Sequence, residues 1–223
     1  FESDGAGAWR QPGRVRLTST GGINVINKIQ EVINGIQYPA RTKLKVFFLC
    51  SVAGGTGSGT IVDLVYMTRH VLETNFAGLY NNTRIFGYIF SPSACEGGIN
   101  EERNPGANHY AAMKEIAYLM RLHDRGEKIK MNYGITNVTF NRNIFDTCMI
   151  VDGNTPAFGG FRKPAETARN VVVQSILGSM TARDVVGDEQ VSLIDSVYSN
   201  SWTDVTTAIA SLPLDKYPRY AGY

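Results

Sequence analysis

Hydrophobic residues recur along the chain at two spacings, and these predict helices that alternate with strands. Apolar residues repeat every three or four positions over Gly22–Gly35, which predicts a helix that ends at a glycine. The next apolar run, 43–52, is short, continuous and rich in β-branched and aromatic side chains, which predicts a buried strand. Helical spacing returns over 60–73, where Thr60 and Asp63 have the spacing of a capping box.

The alternation continues through the second half of the chain. Strands are predicted at 84–90 and 145–151, and helices at 108–122 and 165–180. The helix at 108–122 is expected to turn five residues inward: Tyr110, Met113, Ile116, Ala117 and Met120. Strands with two apolar faces, alternating with helices, favour an α/β fold: a mainly parallel sheet with helices on both faces.

Three polar segments, 91–107, 124–142 and 152–164, are longer than the usual connection of about 4–6 residues and are predicted to be loops. Two of them directly follow strands. Ligands of open parallel sheets gather at the carboxyl ends of strands, so these loops are candidate positions for a site.

Composition narrows the classes of protein. The chain has 223 residues, 43% of them hydrophobic and 19% charged, which is typical of one globular core. A net charge of +2 is too small to favour a nucleic-acid partner. Three cysteines, an odd number, favour the reducing cytoplasm, and no apolar run approaches the roughly 18 residues of a membrane span. The chain begins without an initiator Met, so we expect a piece of a longer protein.

The stretch AGGTGSGT, residues 53–60, joins a predicted strand to a predicted helix. Glycine allows backbone amides to converge and brings no Cβ between them and a ligand, while a helix N-terminus adds partial positive charge. A tight turn alone would account for one or two glycines. The stretch therefore predicts a phosphate site, whose candidate residues are Ala53, Gly54, Gly55, Thr56, Gly57, Ser58 and Gly59.

Other phosphate-binding motifs fit less well. No Lys occurs from Ala53 to Thr68, which excludes a Walker P-loop. A dinucleotide fingerprint would need glycine where Thr60 or Val62 stands, so a dinucleotide-dependent oxidoreductase is only an alternative. The three histidines have no metal-ligand spacing, and no metal site is predicted.

AGGTGSGT resembles the GGGTGSG signature of the tubulin/FtsZ superfamily. A second match, GAGAWRQPGR at residues 5–14, is similar to the family loop that faces the terminal phosphate, and the two motifs occur in the family order. The form of the glycine motif looks closest to the large bacterial tubulin-like proteins. The resemblance implies binding of GTP or GDP with Mg²⁺, with Ala6, Gly7 and Ala8 toward the terminal phosphate.

The resemblance also implies roles for later residues. The loop after strand 84–90 would hold the ribose through one of four residues: Glu96, Glu102, Arg103 or Asn108. Guanine would be recognised by Asn154 and Asn170, since an amide both donates and accepts hydrogen bonds. Glu166 stands where the family carries a stacking aromatic residue, and this departs from the pattern.

The resemblance further implies a cytoskeletal protein whose copies assemble head to tail and hydrolyse GTP at the interface. Asp188 and Asp195 are the candidate catalytic acids. A non-hydrolysing scaffold of the same fold is the alternative. We expect a nucleotide-binding domain at 1–182 and a C-terminal extension at 183–223, with the family's first strand and first glycine loop lying before Gly5.

Overall fold

The computed structural model of the chain describes residues 9–36, 44–95, 105–133, 137–152 and 164–185. The chain divides into two units, Phe1–Ala168 and Arg169–Tyr223. The helices are α1 (Arg10–Arg16), α2 (Gly22–Gly35), α3 (Gly55–Asn75), α4 (Ala77–Tyr80), α5 (Pro105–Leu119) and α6 (Pro164–Val185). The strands are β1 (Leu44–Ser51), β2 (Thr83–Phe90), β3 (Ile129–Asn132), β4 (Asn137–Phe140) and β5 (Thr147–Val151).

Three strands of the first unit form a parallel sheet in the order β1-β2-β5. The central strand, β2, is buried along most of its length, whereas β1 and β5 are mainly half-buried, because among the described strands β2 alone has a neighbour on each side. Gly87 of β2 makes room for Phe145, since a Cβ there would lie 2.8 Å from the phenyl ring. The predicted α/β class, a parallel sheet flanked by helices, is confirmed.

The core surrounds α3, the most buried helix described. Tyr66, Met67 and Leu72 of α3 are fully buried together with Ile85 and Ile89 of β2. Burial of apolar surface on this scale is the main favourable contribution to the folding free energy. None of the described helices is both long and apolar enough to span a membrane.

The N-terminal bound of α3 differs from the sequence-based prediction. We expected the helix to start at Thr60 after a glycine loop, but it starts at Gly55, so that most of the glycine stretch is helical. The capping box is therefore wrong: Asp63 lies in the helix interior with a side chain that is 1% exposed. Glycine disfavours helix, so tertiary contacts must supply the reason for this early start.

The segment 124–142 was predicted to be a loop, and this is wrong. It contains β3 and β4, which pair antiparallel with Ile129 opposite Phe140. Phe140 packs on Tyr66 of α3, with ring centroids 4.5 Å apart. Two strands of four residues each carry too short an alternating pattern to stand out in the sequence.

Helix α5 begins at Pro105, three residues before its predicted start. Of the residues expected to point inward, Ile116 is buried, and Met113 and Met120 pack against the core. Tyr110 and Ala117 are exposed, which corrects the prediction. The buried face instead carries four residues at helical spacing: Asn108, Ala112, Ile116 and Leu119.

A buried ion pair fixes the start of β5. Arg69 of α3 is 4% exposed, donates from Nε to the carbonyl of Ile144 at 3.2 Å and approaches Asp146 Oδ2 at 3.4 Å. The same carboxylate oxygen accepts the amide of Ile85 at 2.6 Å. One guanidinium and one carboxylate thus connect α3, β2 and the segment that leads into β5.

Candidate functional site

The carboxyl ends of the three parallel strands are level with one another. Ser51 is paired with Phe90, and Phe90 is paired with Val151. Two backbone hydrogen bonds extend the pairing by one residue, from Val52 N to Phe90 O at 3.2 Å and from Ser91 N to Val151 O at 2.9 Å. The residues that follow the three strands therefore lie at one edge of the sheet. We call this edge, together with the turn 52–54, the carboxyl edge.

The chain passes from β1 to α3 at the carboxyl edge through only three residues. The Ala53 amide donates to Ser51 Oγ at 3.3 Å, and Gly54 is the exposed N-cap of α3. No side chain caps this helix, and no described residue accepts a hydrogen bond from the amides of Gly54, Gly55 or Gly57. The first turn of α3 thus has main-chain donors with unused capacity beside the strand ends.

The hydroxyl of Ser58 is engaged within the helix. Ser58 Oγ donates to the carbonyl of Gly54 at 2.5 Å, and the Ser58 amide donates to the same oxygen at 3.2 Å. The Ser58 hydroxyl is therefore already used to hold the first turn closed.

Three of the four glycines in the motif are explained by close packing. A Cβ on Gly55 would lie 2.4 Å from the carbonyl oxygen of Trp9, and one on Gly59 would lie 2.3 Å from that of Arg10. A Cβ on Gly57 would lie 2.1 Å from the carbonyl oxygen of Ser51. At Gly54 a Cβ would meet nothing within 4 Å. The packing of α1 and β1 on α3 is therefore the tertiary reason for the helical glycines, and Gly54 alone borders open space.

Two side chains hold the turn and the first helical turn in place. Asn108 of α5 is buried, and its Nδ2 donates to the carbonyl of Ala53 at 3.2 Å. Arg10 of α1 donates from Nε and Nη2 to the carbonyl of Ser58, at 3.1 and 3.0 Å. The predicted candidate Asn108 is thus brought to the glycine stretch, whereas the bonds from Arg10, a residue of the second glycine motif, to the Ser58 carbonyl were not predicted.

A polar cluster lies beside the turn and was not predicted residue by residue. Asp152, the residue after β5, accepts hydrogen bonds from the hydroxyls of Ser91, at 3.0 Å, and Ser93. Burial lowers the pKa of the neighbouring His109, and the negative charge of Asp152 partly offsets this lowering. The buried Nδ1 of His109 has no hydrogen-bond partner among the described residues. The sequence did offer one indication of this cluster, since Ser91 and Asp152 each come directly after a predicted strand.

Cys50, which lies near the end of β1, is not an activated nucleophile. Burial raises the pKa of Cys50 to about 11, so the thiol stays protonated at neutral pH. Cys95 Sγ lies 3.1 Å from Ser51 Oγ, and this contact links the segment after β2 to the end of β1.

The structure gives no position relative to this edge for the remaining predicted site residues. Asn170 is an exposed residue of α6 and belongs to the second unit. The others lie outside the described residues: Ala6, Gly7, Ala8, Glu102, Asn154, Asp188 and Asp195. Their assignments remain predictions.

The comparisons with known proteins agree with this architecture. A family model described as tubulin like matches residues 1–219. No curated protein matches the chain. The match spans nearly all of the 223 residues and includes both glycine motifs. With a parallel sheet that leads through a glycine-rich turn into α3, the chain belongs to the tubulin-like family.

Proposed function

We propose that the chain binds GTP or GDP, with the phosphates at the N-terminus of α3. The observation that carries this proposal is the uncapped first turn, in which the amides of Gly54, Gly55 and Gly57 have no acceptor among the described residues. A helix N-terminus with convergent amides favours an anion. The open space at Gly54 leaves room for one, so the residues present fit a phosphate group.

The supporting residues have distinct proposed roles. Asn108 and Arg10 hold the turn from two sides through the carbonyls of Ala53 and Ser58, which keeps the amides oriented. Preorganised donors bind an anion more tightly than donors that must first be ordered. Ala6, Gly7 and Ala8 would approach the terminal phosphate and Asn154 and Asn170 the guanine. Glu102 or Asn108 would lie nearest the ribose, and Mg²⁺ would accompany the phosphates.

Nucleotide binding can be tested by thermal unfolding of the chain with GTP, GDP or NAD, each with Mg²⁺. A ligand that binds only the folded state adds about 2.7 kcal/mol of stability at a hundred times its Kd. We expect GTP and GDP to raise Tm and NAD to leave it unchanged. A rise with NAD alone would favour the dinucleotide-dependent alternative and would contradict the proposal.

The chain offers a matched pair of variants for this test. The backbone of Gly54 is extended, at φ −93° and ψ 164°, so Gly54→Leu is sterically allowed and places a side chain beside the amides. Gly78 in α4 also borders open space, so Gly78→Leu controls for the added surface. We expect G54L to weaken GTP binding at least about tenfold, or by about 1.4 kcal/mol, and G78L to leave it unchanged.

We further propose that copies of the chain assemble head to tail with nucleotide at the interface, and that Asp188 and Asp195 take part in hydrolysis. The family membership supports assembly in a general way. Sedimentation and electron microscopy with GTP would detect polymers, and phosphate release would detect turnover. Polymers without phosphate release would favour the non-hydrolysing scaffold, and Asp195→Asn should abolish release in a hydrolysing protein without weakening GTP binding.

A further inference from the structure

A concave site lies among α1, α3 and α5, and it shares Arg10 and Asn108 with the contacts that hold the turn at Gly54. It is a cleft of about 390 Å³, within the range of about 300–1,000 Å³ that is usual for small-ligand sites. Four charged residues line it, namely Arg10, Arg14, Asp63 and Glu115, together with small residues that include Ala111. The formal charges cancel, so the position of each charge decides which ligand the cleft would favour.

Asp63 is the most buried of these charges. Its side chain is 1% exposed, and neither carboxylate oxygen has a hydrogen-bond partner among the described residues. Burial raises the pKa of Asp63, although Arg14 acts in the opposite direction. A buried carboxylate without hydrogen bonds is costly in a folded protein, and a donor that approached it would relieve that cost.

The internal partners of Asp63 are weakly engaged. Arg14 makes one contact, from Nε to Oδ2 at 3.3 Å, and its side chain is 52% exposed. The Tyr133 hydroxyl lowers the pKa of Asp63 through a long hydrogen-bonding contact, and it shares its proton with Met131 Sδ, which lies 2.8 Å away. A half-exposed arginine held by one long contact can be exchanged for another cation, but only if the newcomer satisfies the buried carboxylate that Arg14 leaves.

The other arginine of the cleft is firmly held. Arg10 is paired with Glu115 at 2.5 Å and also donates twice to the carbonyl of Ser58. Its side chain is 18% exposed, so it forms a fixed wall and is not an available anion receptor. Glu115 is 45% exposed at the mouth of the cleft. The cleft thus has a carboxylate at its base, a second one at its mouth, and one displaceable guanidinium between cleft and solvent.

We propose that this cleft binds a small organic cation whose guanidinium or primary ammonium group replaces Arg14 at Asp63. A guanidinium presents several donors in a plane and can bond both carboxylate oxygens, which the single Arg14 contact does not do. A second cationic group at the other end of the ligand would face Glu115. This inference does not depend on nucleotide binding at α3.

Agmatine, which carries a guanidinium and an ammonium on a short chain, is a suitable probe for calorimetric titration of the full chain. We expect saturable one-to-one binding of agmatine and none of 1,4-butanediol, a neutral chain of similar length. Asp63→Asn should weaken binding at least about tenfold, since a hydrogen bond to a charged group contributes about 1.5–3 kcal/mol. Arg14→Gln removes the internal competitor and should tighten binding severalfold.

Two variants that add bulk on α5 keep the agmatine test decisive if Asp63→Asn does not fold. Ala111 lines the cleft, whereas Ala117 of the same helix is exposed and lies outside the lining. Ala111→Phe should abolish agmatine binding, and Ala117→Phe should leave it intact, with both variants melting cooperatively. The proposal is overturned if the unmodified chain does not bind agmatine, if Arg14→Gln weakens binding, or if inorganic phosphate binds in the cleft in its place.

Discussion

The four glycines of the motif should respond differently to alanine. At Gly57 the added Cβ would lie 2.1 Å from the Ser51 carbonyl oxygen, whereas ordinary contact begins at 3.4 Å, so the backbones must separate by about 1.3 Å (3.4 less 2.1). The obstacle is main chain, which cannot rotate away as a side chain can. Gly55 and Gly59 meet the backbone of α1 at similar distances, and Gly54 meets nothing.

The expected magnitudes follow from two opposing effects. Overpacking a well-packed contact costs about 1–3 kcal/mol, while alanine in place of glycine inside a helix favours folding by about 0.5–1 kcal/mol. We therefore expect Gly57→Ala, Gly55→Ala and Gly59→Ala each to lower the free energy of unfolding by about 1–2 kcal/mol. Gly54→Ala should change it by less than about 1 kcal/mol, because its conformation suits any residue.

Urea unfolding followed by circular dichroism measures these differences, and Tm should shift by about 2–4 °C for each kcal/mol in a chain of this size. Gly78→Ala is the control for glycine replacement in open space. The packing explanation is refuted if Gly54→Ala destabilises the chain as much as Gly57→Ala, or if Gly57→Ala is neutral. The glycines would then be required for another reason.

Three other predictions concern the same unit. Arg69→Met should lower the free energy of unfolding by about 3–5 kcal/mol, since it leaves the partly buried Asp146 without its cation; urea unfolding measures this, and a loss below about 1 kcal/mol would contradict it. Gly87→Ala should cost about 1–3 kcal/mol, because the new methyl group meets the Phe145 ring, and near-ultraviolet circular dichroism should report the disturbed packing. Burial raises the pKa of Asp63 above 3.8, so the folded state binds the proton more tightly than the unfolded state does. The stability that Asp63 contributes is therefore present at low pH and is lost as the pH rises from about 4. Urea unfolding midpoints measured across this pH range should show the loss in the unmodified chain and not in Asp63→Asn.

The sequence predicts helices well where the helical spacing of apolar residues extends over several turns, and strands well where the apolar run is continuous. Helix α2 has its predicted bounds, Gly22–Gly35, because its apolar spacing is strong and glycine ends it. The start of α3 was missed, because glycine propensity favours a loop and only the contact with α1 explains a helix there. Intrinsic propensity is overridden by tertiary packing at such places.

The position of the glycine stretch was predictable, but its connections were not. A glycine stretch after a strand predicts a turn at the carboxyl edge of the sheet, and the structure has this turn next to the level ends of β1, β2 and β5. The bond from Asn108 to the Ala53 carbonyl spans 55 positions of sequence and follows only from the packing of α5 against the turn. Asp63 was interpreted as part of a capping box because it lies three residues after Thr60. That spacing is local, whereas the burial of Asp63 depends on α1 and α5, which the spacing does not report.

The contact of α1 with Gly55 and Gly59 has a consequence for how related chains can vary. The atoms that meet these glycines are main-chain atoms of Trp9 and Arg10, which every amino acid carries. No substitution in α1 can therefore compensate for a larger residue at either glycine. The side chain of Trp9 is 72% exposed and can vary, while Gly55, which meets the Trp9 main chain, and Gly59, which meets that of Arg10, should stay invariant among homologues that keep this helix pair.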